Sequence, residues 1–190
     1  MGVGAVVVAA ALLWTSCSDG ISAAEDLVTQ GDLAGAEAAY KEILTDNPDD
    51  ARALDGLAVI LMWQQRYEEA AVIQERAAAS DKSNILVRTE LGFNYLNHLG
   101  RPADAVRVFS ETATLESTGK NLTFLAQAQT ACGNNSEAER TLRKAIDADP
   151  TYAYSYDKLV GLLQLQDRAE EIEKVKAEAA SHGVSISESE

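Results

Sequence analysis

Residues 119–152 read GKNLTFLAQAQTACGNNSEAERTLRKAIDADPTY, and this stretch decides the fold of the chain. A small residue, Ala138, stands five positions after the turn residue Gly133, and Pro150 follows twelve positions later. Apolar residues on both sides of the glycine recur at intervals of three, four and seven, which is the spacing of one helical face. The stretch therefore predicts two helices joined by a tight turn.

The same landmark recurs along the chain with a period of about 34 residues. Ala36, Ala70 and Ala105 take the place of Ala138, and the four alanines are 34, 35 and 33 residues apart. A glycine stands five positions before each alanine except Ala70, where Gln65 replaces it. A fixed period in this range indicates stacked helical hairpins, because no single hairpin can bury its apolar face alone.

Composition and charge limit what kind of protein this is. The chain has 190 residues, of which 46% are hydrophobic, enough for one extended domain with a continuous core. The formal net charge is −14 and no run of Lys and Arg is present to contact phosphates, so we expect no nucleic acid partner. We expect the acidity to keep an elongated protein soluble, and a basic partner stays open as an alternative.

The sequence shows no pattern typical of catalysis or of a metal site. It lacks a phosphate-binding glycine loop, a nucleophile elbow and the spacing of zinc ligands. The two cysteines, Cys17 and Cys132, and the two histidines, His98 and His182, are far apart in sequence. We therefore expect no enzymatic activity, no cofactor and no metal. We interpret Cys132 as a packing residue before the turn.

The first 17 residues have the composition of a targeting segment. Residues 2–17 carry no charge, and the apolar block at 6–13 has the length of a signal-peptide core and is short for a membrane span. Cys17 resembles the lipobox cysteine of bacterial lipoproteins, which is acylated and becomes the mature N-terminus. Trp14 and the absence of a basic residue near Met1 depart from that pattern. An uncleaved signal anchor and a buried apolar helix that caps the repeats are therefore the alternatives.

A recurring set of large and small apolar residues fills equivalent positions of the hairpins. These residues are Ala24, Leu27, Ala36, Tyr40, Ile43 and Pro48; Leu54, Leu57, Ala58, Leu61, Tyr67, Ala70 and Ala77; Leu91, Gly92, Tyr95, Ala105 and Phe109; Leu122, Leu125, Ala126, Ala138, Leu142, Ala145 and Pro150; and Tyr156, Leu159 and Leu163. In this they resemble the tetratricopeptide family, in which each unit is a helix A, a tight turn and a helix B. The fifth unit departs from the pattern because Ile172 replaces the alanine of helix B and no proline closes the unit.

The resemblance covers residues 22–182 and implies an all-α fold, a right-handed α-solenoid of about five tetratricopeptide hairpins. The units are expected near residues 17–50, 51–84, 85–118, 119–152 and 153–182. A signal-peptide or lipobox-like segment at 1–17 would precede them, and an acidic tail at 183–190 is expected to be disordered.

The third unit carries one extra residue. Leu91 and Gly100 are nine positions apart, whereas the equivalent Leu125 and Gly133 are eight positions apart. We therefore predict a longer turn at residues 97–99, which protrudes slightly on one edge.

Helix A lines the concave, partner-binding face in the tetratricopeptide family, at unit positions 2, 5, 9, 12 and 13. In chaperone-binding relatives, Lys and Asn at positions 5 and 9 hold the terminal carboxylate of a peptide. Here Asp55 with Val59, and Thr89 with Phe93, take those positions, so the resemblance implies that this clamp is missing.

An apolar strip is predicted on this face instead. It would bind an amphipathic helix or an extended apolar peptide, unless its side chains pack against neighbouring units. The strip consists of Val59, Met62, Trp63, Phe93 and Leu96. The full set of candidate partner-binding residues is Arg52, Asp55, Val59, Met62, Trp63, Thr89, Phe93, Leu96, Asn97, Lys120 and Gln127.

Repeats and N-terminal segment together predict a non-enzymatic protein–protein interaction scaffold, anchored by a lipid on Cys17. It would face the extracytoplasmic side of a bacterial envelope, at the outer membrane if the organism has one. The resemblance implies that it assists assembly of an envelope complex such as secretion, pilus or cell-wall machinery, with a protein or peptide in its concave groove. The alternatives are a pilotin-like escort of a secretin, and a membrane-tethered or cytoplasmic adaptor with an uncleaved N-terminal helix.

Overall fold

The computed structural model describes residues 20–186, and within this range the chain consists of helices and the turns that join them. The predicted all-α helical repeat fold is confirmed, while Cys17, the rest of the predicted signal segment and residues 187–190 lie outside the described range. The helices are α1 (20–29), α2 (Leu33–Asp46), α3 (Ala51–Trp63), α4 (Tyr67–Ser80), α5 (Ile85–Phe93), α6 (Pro102–Leu115), α7 (Gly119–Ala131), α8 (Asn135–Ala148), α9 (Ala153–Gln164) and α10 (Ala169–Ser181).

The chain forms two compact units, unit 1 up to Val87 and unit 2 from Arg88 onward. The core of unit 1 is built from helices α1 to α4, with Tyr40 and Leu57 among its buried residues. Helices α7 to α10 form the buried core at the C-terminal end of unit 2, with Tyr156 at 0% exposure. Small residues such as Ala70 and Ala138 are also fully buried, which lets neighbouring helices approach closely.

Polar side chains at helix N-termini satisfy backbone N–H groups that have no partner within the helix. Asp50 accepts a hydrogen bond from the Ala53 N–H (3.0 Å), and the Thr118 hydroxyl accepts one from the Asn121 N–H (3.2 Å). Each of these caps lies where one hairpin ends and the next begins. The caps therefore fix where the first helix of the next hairpin starts.

The turn inside each hairpin depends on one residue in the left-handed backbone region. Gly31, Gly100 and Gly133 have φ angles of 79°, 61° and 78°, values that glycine adopts without steric cost. Gln65 takes the same conformation with φ of 60°, so the sequence alignment that placed it at the glycine position is confirmed. Asp167 does so in the last hairpin with φ of 55°, a position that the repeat pattern did not single out.

The extra residue of the third hairpin lies within the helix and not in the turn. Helix α5 continues as a π-helical turn at Asn94–His98, in which the Leu99 N–H donates to the carbonyl of Asn94 (3.1 Å). Gly100 keeps the left-handed turn of the other hairpins. The prediction of a longer turn at residues 97–99 is therefore wrong, because a wider helical turn absorbs the added residue while the backbone keeps its hydrogen bonds.

The C-terminal residues continue the core of unit 2. Val175 and Ala179 of α10 are buried, and after Gly183 the chain turns so that the Val184 N–H donates to the carbonyl of Ala179 (2.9 Å). Val184 and Ile186 pack against the core cluster of unit 2. Residues 183–186 thus extend the apolar contacts of unit 2 beyond α10, and the disorder expected for the tail at 183–190 stays a prediction.

Candidate functional site

Helix α3 of unit 1 carries an apolar group at its C-terminal end. Trp63, the last residue of the helix, has 59% of its surface exposed. Met62 and Val59 lie within one helical turn of it and are half-buried, and Met62 packs against the core of unit 1. Trp63 is thus the member of this group that presents a large apolar surface to solvent.

The polar candidates on α3 lie toward its other end. Arg52 and Asp55 are both exposed. The Arg52 guanidinium donates to the carboxylate of Glu25 on α1 (2.7 Å), an exposed ion pair. Such pairs contribute little stability, so Arg52 is free to exchange its partner for another carboxylate.

Phe93 of unit 2 is part of an aromatic cluster. Its ring is half-buried and meets Phe109 and Phe124 edge-to-face, with centroid distances of 5.2 and 4.7 Å. Edge-to-face pairs of this kind stabilise a core beyond the area that they bury. The geometry therefore gives Phe93 a packing role within unit 2, the alternative that the sequence left open for the apolar strip.

The remaining candidates near Phe93 differ in exposure. Leu96 lies in the π-helical turn and is half-buried, Asn97 beside it is exposed, and Thr89 is half-buried. The five residues of the predicted strip thus belong to two units, with Val59, Met62 and Trp63 in unit 1 and Phe93 and Leu96 in unit 2.

Helix α7 carries two further candidates, Lys120 and Gln127, of which Gln127 contacts the last hairpin. Gln127 donates from Nε2 to the hydroxyl of Tyr154 (2.8 Å), which joins helices α7 and α9. A buried hydrogen bond between the hydroxyls of Thr123 and Ser155 (2.7 Å) joins them a second time. Lys120, near the N-terminus of α7, is exposed. The first helices of the fourth and fifth hairpins are thus joined by two side-chain hydrogen bonds.

An arginine cluster in unit 1, absent from the sequence predictions, ties the second hairpin to the first. Arg66, in the turn between α3 and α4, donates from Nη1 to Glu37 on α2 (2.7 Å) and to Gln64 (2.7 Å). Its Nε and Nη2 both donate to Glu69, at 2.7 and 2.6 Å. Two-pronged contacts between arginine and carboxylate are among the stronger hydrogen bonds in proteins.

The same cluster recurs in unit 2, with every member 102 residues later. Arg168 donates to Glu139 (2.5 Å), to Gln166 (2.8 Å) and, through Nε and Nη2, to Glu171 (2.6 and 2.5 Å). The signal in the sequence was a shared Gln-x-Arg-x-x-Glu pattern at 64–69 and 166–171, preceded 29 residues before each arginine by a glutamate. In both units the arginine thus connects the turn of one hairpin to the second helix of the hairpin before it.

Both clusters shift the titration of their glutamates. Hydrogen bonds from Lys41 and Arg66 lower the pKa of the Glu37 carboxyl from 4.5 to about 2. The hydrogen bond from Arg168 likewise lowers the pKa of Glu139. Both glutamates are therefore negatively charged at neutral pH and hold the arginines in place.

The charged C-terminal end of unit 2 has a cleft lined mainly by charged side chains. An open cleft of about 630 Å³ lies along α10, lined by Arg143, Arg168 and Glu171 among others. These three side chains already form ion pairs with one another and with Glu139. Within residues 20–186 no group of His, Cys, Asp and Glu is arranged to hold a metal ion, and none of the helices there is both long and apolar enough to cross a membrane.

Solved structures with the same fold include several helical repeat proteins. MamA from Desulfovibrio magneticus RS-1 is 13% identical, with a TM-score of 0.72 over 87% of this chain and 93% of that chain. YrrB, a tetratricopeptide protein with an unusual peptide-binding site, is 19% identical, with a TM-score of 0.69 over 85% of this chain and 84% of its own. PilW, a type IV pilus biogenesis factor, is 16% identical, with a TM-score of 0.63 over 87% and 77%.

Sequence comparison agrees with the fold. The tetratricopeptide repeat profile matches residues 27–89, and a second profile of the same description matches residues 120–152, together half of the chain. No curated protein is significantly similar to the chain in sequence. Repeats of this kind present extended surfaces on which other proteins bind. The chain therefore belongs to the tetratricopeptide repeat family and has the fold of a protein–protein interaction scaffold.

Proposed function

We propose that this chain is a non-enzymatic scaffold that binds a partner protein with the first helices of its hairpins, while a lipid on Cys17 tethers it to a bacterial envelope. The observation that carries the partner-binding part is the exposure of Trp63, at 59%. Contact between the apolar indole surface and water is unfavourable, so a partner that buries the indole gains binding free energy. Tryptophan is also among the residues that most often dominate the binding energy of protein interfaces.

The surroundings of Trp63 support a protein partner over a small molecule. The indole stands at the end of α3, next to half-buried Met62, on an open helix surface. Small-molecule sites are usually concave and enclose most of the ligand, whereas an exposed aromatic anchor beside a flexible methionine suits a helix or an extended peptide.

The envelope part of the proposal rests on the sequence of the N-terminal segment. An uncharged stretch with an apolar core ends at Cys17, as in bacterial lipoproteins. Tethering by acylation would place the repeats at a membrane surface and raise their effective concentration for membrane-bound partners. PilW shares the fold and acts in pilus biogenesis, so a role in assembling an envelope complex is consistent with this placement.

The anchor is tested by replacing each cysteine in turn. Cys17→Ser should abolish incorporation of labelled palmitate and release the protein from the membrane fraction, whereas Cys132→Ser, the matched control, should leave both unchanged. Mass spectrometry of the mature N-terminus gives a second measurement. Unchanged palmitate labelling in Cys17→Ser, or a mature protein that begins at Met1, would refute the anchor and favour an adaptor with an uncleaved helix.

Partner binding is tested with a photo-crosslinking amino acid in living cells. Placed at Trp63, it should form a discrete crosslinked product with another protein. Val72 on helix α4 provides the control, because its exposure of 60% matches that of Trp63 on a second helix of the same unit. Equal products at both positions would show random collision and contradict the proposed face.

A further inference from the structure

The first helices of the last two hairpins differ in charge from the rest of the chain. Helices α7 and α9 together contain two lysines, Lys120 and Lys158, and one carboxylate, Asp157. The whole chain, in contrast, has a net charge of −14. Among the first helices of the described hairpins (α1, α3, α5, α7 and α9), only these two contain lysine. A local excess of positive charge on an acidic protein favours a ligand group of opposite sign at that place.

Both ammonium groups lie over aromatic rings. The Nζ atom of Lys158 is 4.7 Å from the centroid of the Tyr154 ring, and that of Lys120 is 5.8 Å from the centroid of Phe124. Neither forms an ion pair with any residue in the range 20–186. A cation–π contact orients an ammonium group without neutralising it, so both lysines keep their charge available for an external carboxylate.

The part of α9 around Lys158 is held in place by a hydrogen bond and has open space beside it. The hydrogen bond from Gln127 to Tyr154 positions the ring below Lys158. Gly161 lies one helical turn beyond Lys158, and a Cβ atom placed there would meet nothing within 4 Å. A partner segment can therefore approach the backbone of α9 at Gly161 without meeting another side chain there.

We infer that the α7–α9 surface, defined by Lys120, Gln127, Tyr154, Lys158 and Gly161, binds an extended segment of a partner protein that carries Asp or Glu side chains. The inference rests on the proposed function, since it names the chemistry of a partner that the first helices bind. Asp157 stands beside Lys158 and makes its own contact within the chain. The two lysines still outnumber this one carboxylate on α7 and α9. Asp157 also repels any partner segment that places a carboxylate next to it.

The experiment uses a random library of about 12-residue peptides displayed on phage, selected against the full chain in detergent. Enriched peptides should carry Asp or Glu. The best peptide is then synthesised, and its affinity is measured by fluorescence anisotropy at low and high salt. Replacing its carboxylates by amides should weaken binding about threefold to tenfold, the range expected for one or two exposed ion pairs. Raising the salt should weaken binding of the acidic peptide and change binding of the amide peptide much less.

Protein variants locate the effect. The double variant Lys120→Met and Lys158→Met should bind the acidic peptide about threefold to tenfold more weakly than the unaltered protein does. Met keeps the aliphatic stem of lysine and removes its charge. Lys144→Met with Lys174→Met is the matched control, since both of these lysines are exposed and lie on second helices of unit 2. The control should bind as the unaltered protein does.

Three results would overturn the inference. If the enriched peptides are uncharged or apolar, or if the control variant loses as much affinity as the double variant, the α7–α9 surface does not recognise carboxylates. When such peptides still lose affinity on Trp63→Ala, the proposed partner-binding function nevertheless stands. If no enriched peptide responds to any change in the first helices, the proposed function fails, and this inference fails with it.

Discussion

The guanidinium of Arg66 donates a hydrogen bond of 2.7 Å to the carboxylate of Glu37, although the two residues are 29 positions apart in sequence. Glu37 lies on the second helix of the first hairpin, and Arg66 lies in the turn of the second hairpin. The bond therefore connects successive hairpins, whose mutual contact supplies most of the stability of a repeat protein.

Glu37→Gln should destabilise unit 1 by about 1–2 kcal/mol, because the amide no longer forms charge-assisted bonds with Lys41 and Arg66. Urea unfolding followed by circular dichroism measures the change. Glu42→Gln on the same helix is the control, since Glu42 is exposed, and it should change stability by less than about 0.5 kcal/mol. Equal effects of both substitutions would show that only net charge matters.

The pKa of Glu37 predicts how stability depends on pH. Because its pKa falls from 4.5 to about 2 on folding, its contribution is complete only well above pH 4.5 and is lost as the pH drops toward 2. Glu139 adds a loss in the same direction. The free energy of unfolding should therefore decrease between pH 5 and pH 2.5, measured by urea titration at each pH. Glu37→Gln should flatten this decrease, and an unchanged slope in the variant would contradict the assignment.

Alanine substitutions at two glycines of the first helices should change the stability of the protein in opposite directions. A Cβ atom at Gly92 would lie 2.6 Å from the buried ring of Phe109, so Gly92→Ala should destabilise the protein by about 1–3 kcal/mol. At Gly161 a Cβ atom meets nothing within 4 Å, so Gly161→Ala should stabilise α9 by about 0.5–1 kcal/mol through helix propensity. Thermal unfolding distinguishes them. A destabilising Gly161→Ala would mean that the space beside α9 is filled.

Alanine substitutions at Trp63 and Phe93 should differ in how much they lower the stability of the protein. Trp63→Ala removes an exposed side chain and should change stability by less than about 0.5 kcal/mol, while it weakens partner crosslinking. Phe93→Ala breaks two edge-to-face ring contacts and should destabilise unit 2 by about 2–3 kcal/mol. Circular dichroism melting measures both. Should Phe93→Ala melt like the unaltered protein, its ring belongs to the binding face.

The repeat period predicted much of the backbone, because it arises from local chemistry. Gly31 and Gly133 mark left-handed turn residues, and the alignment extended this to Gln65, whose φ of 60° agrees. Helical spacing likewise placed the buried residues of each hairpin. These features depend on residues a few positions apart, so one sequence contains all the information that they need.

Features that depend on backbone hydrogen bonds or on contacts between helices were harder to predict. The one-residue excess before Gly100 fits a longer loop and a π-helical turn equally well, and only the backbone hydrogen bonds distinguish them. The position of Phe93 in the repeat assigned it to the concave face, yet its ring reaches Phe109 on the following helix. The bond between Arg66 and Glu37 spans 29 residues, so only a comparison of the similar stretches 64–69 and 166–171, and not a local pattern, could have indicated it.

The π-helical turn at Asn94–His98 has a consequence for how the gene encoding this protein can change. Inserting one codon into a regular helix rotates every later side chain by about 100° around the axis, which would move core residues into solvent. Because α5 widens over five residues instead, that rotation ends before Gly100, and Ala105 and Phe109 of α6 remain fully buried. At the end of α5, the loss of a single codon should therefore leave the register of the hairpins on either side unchanged.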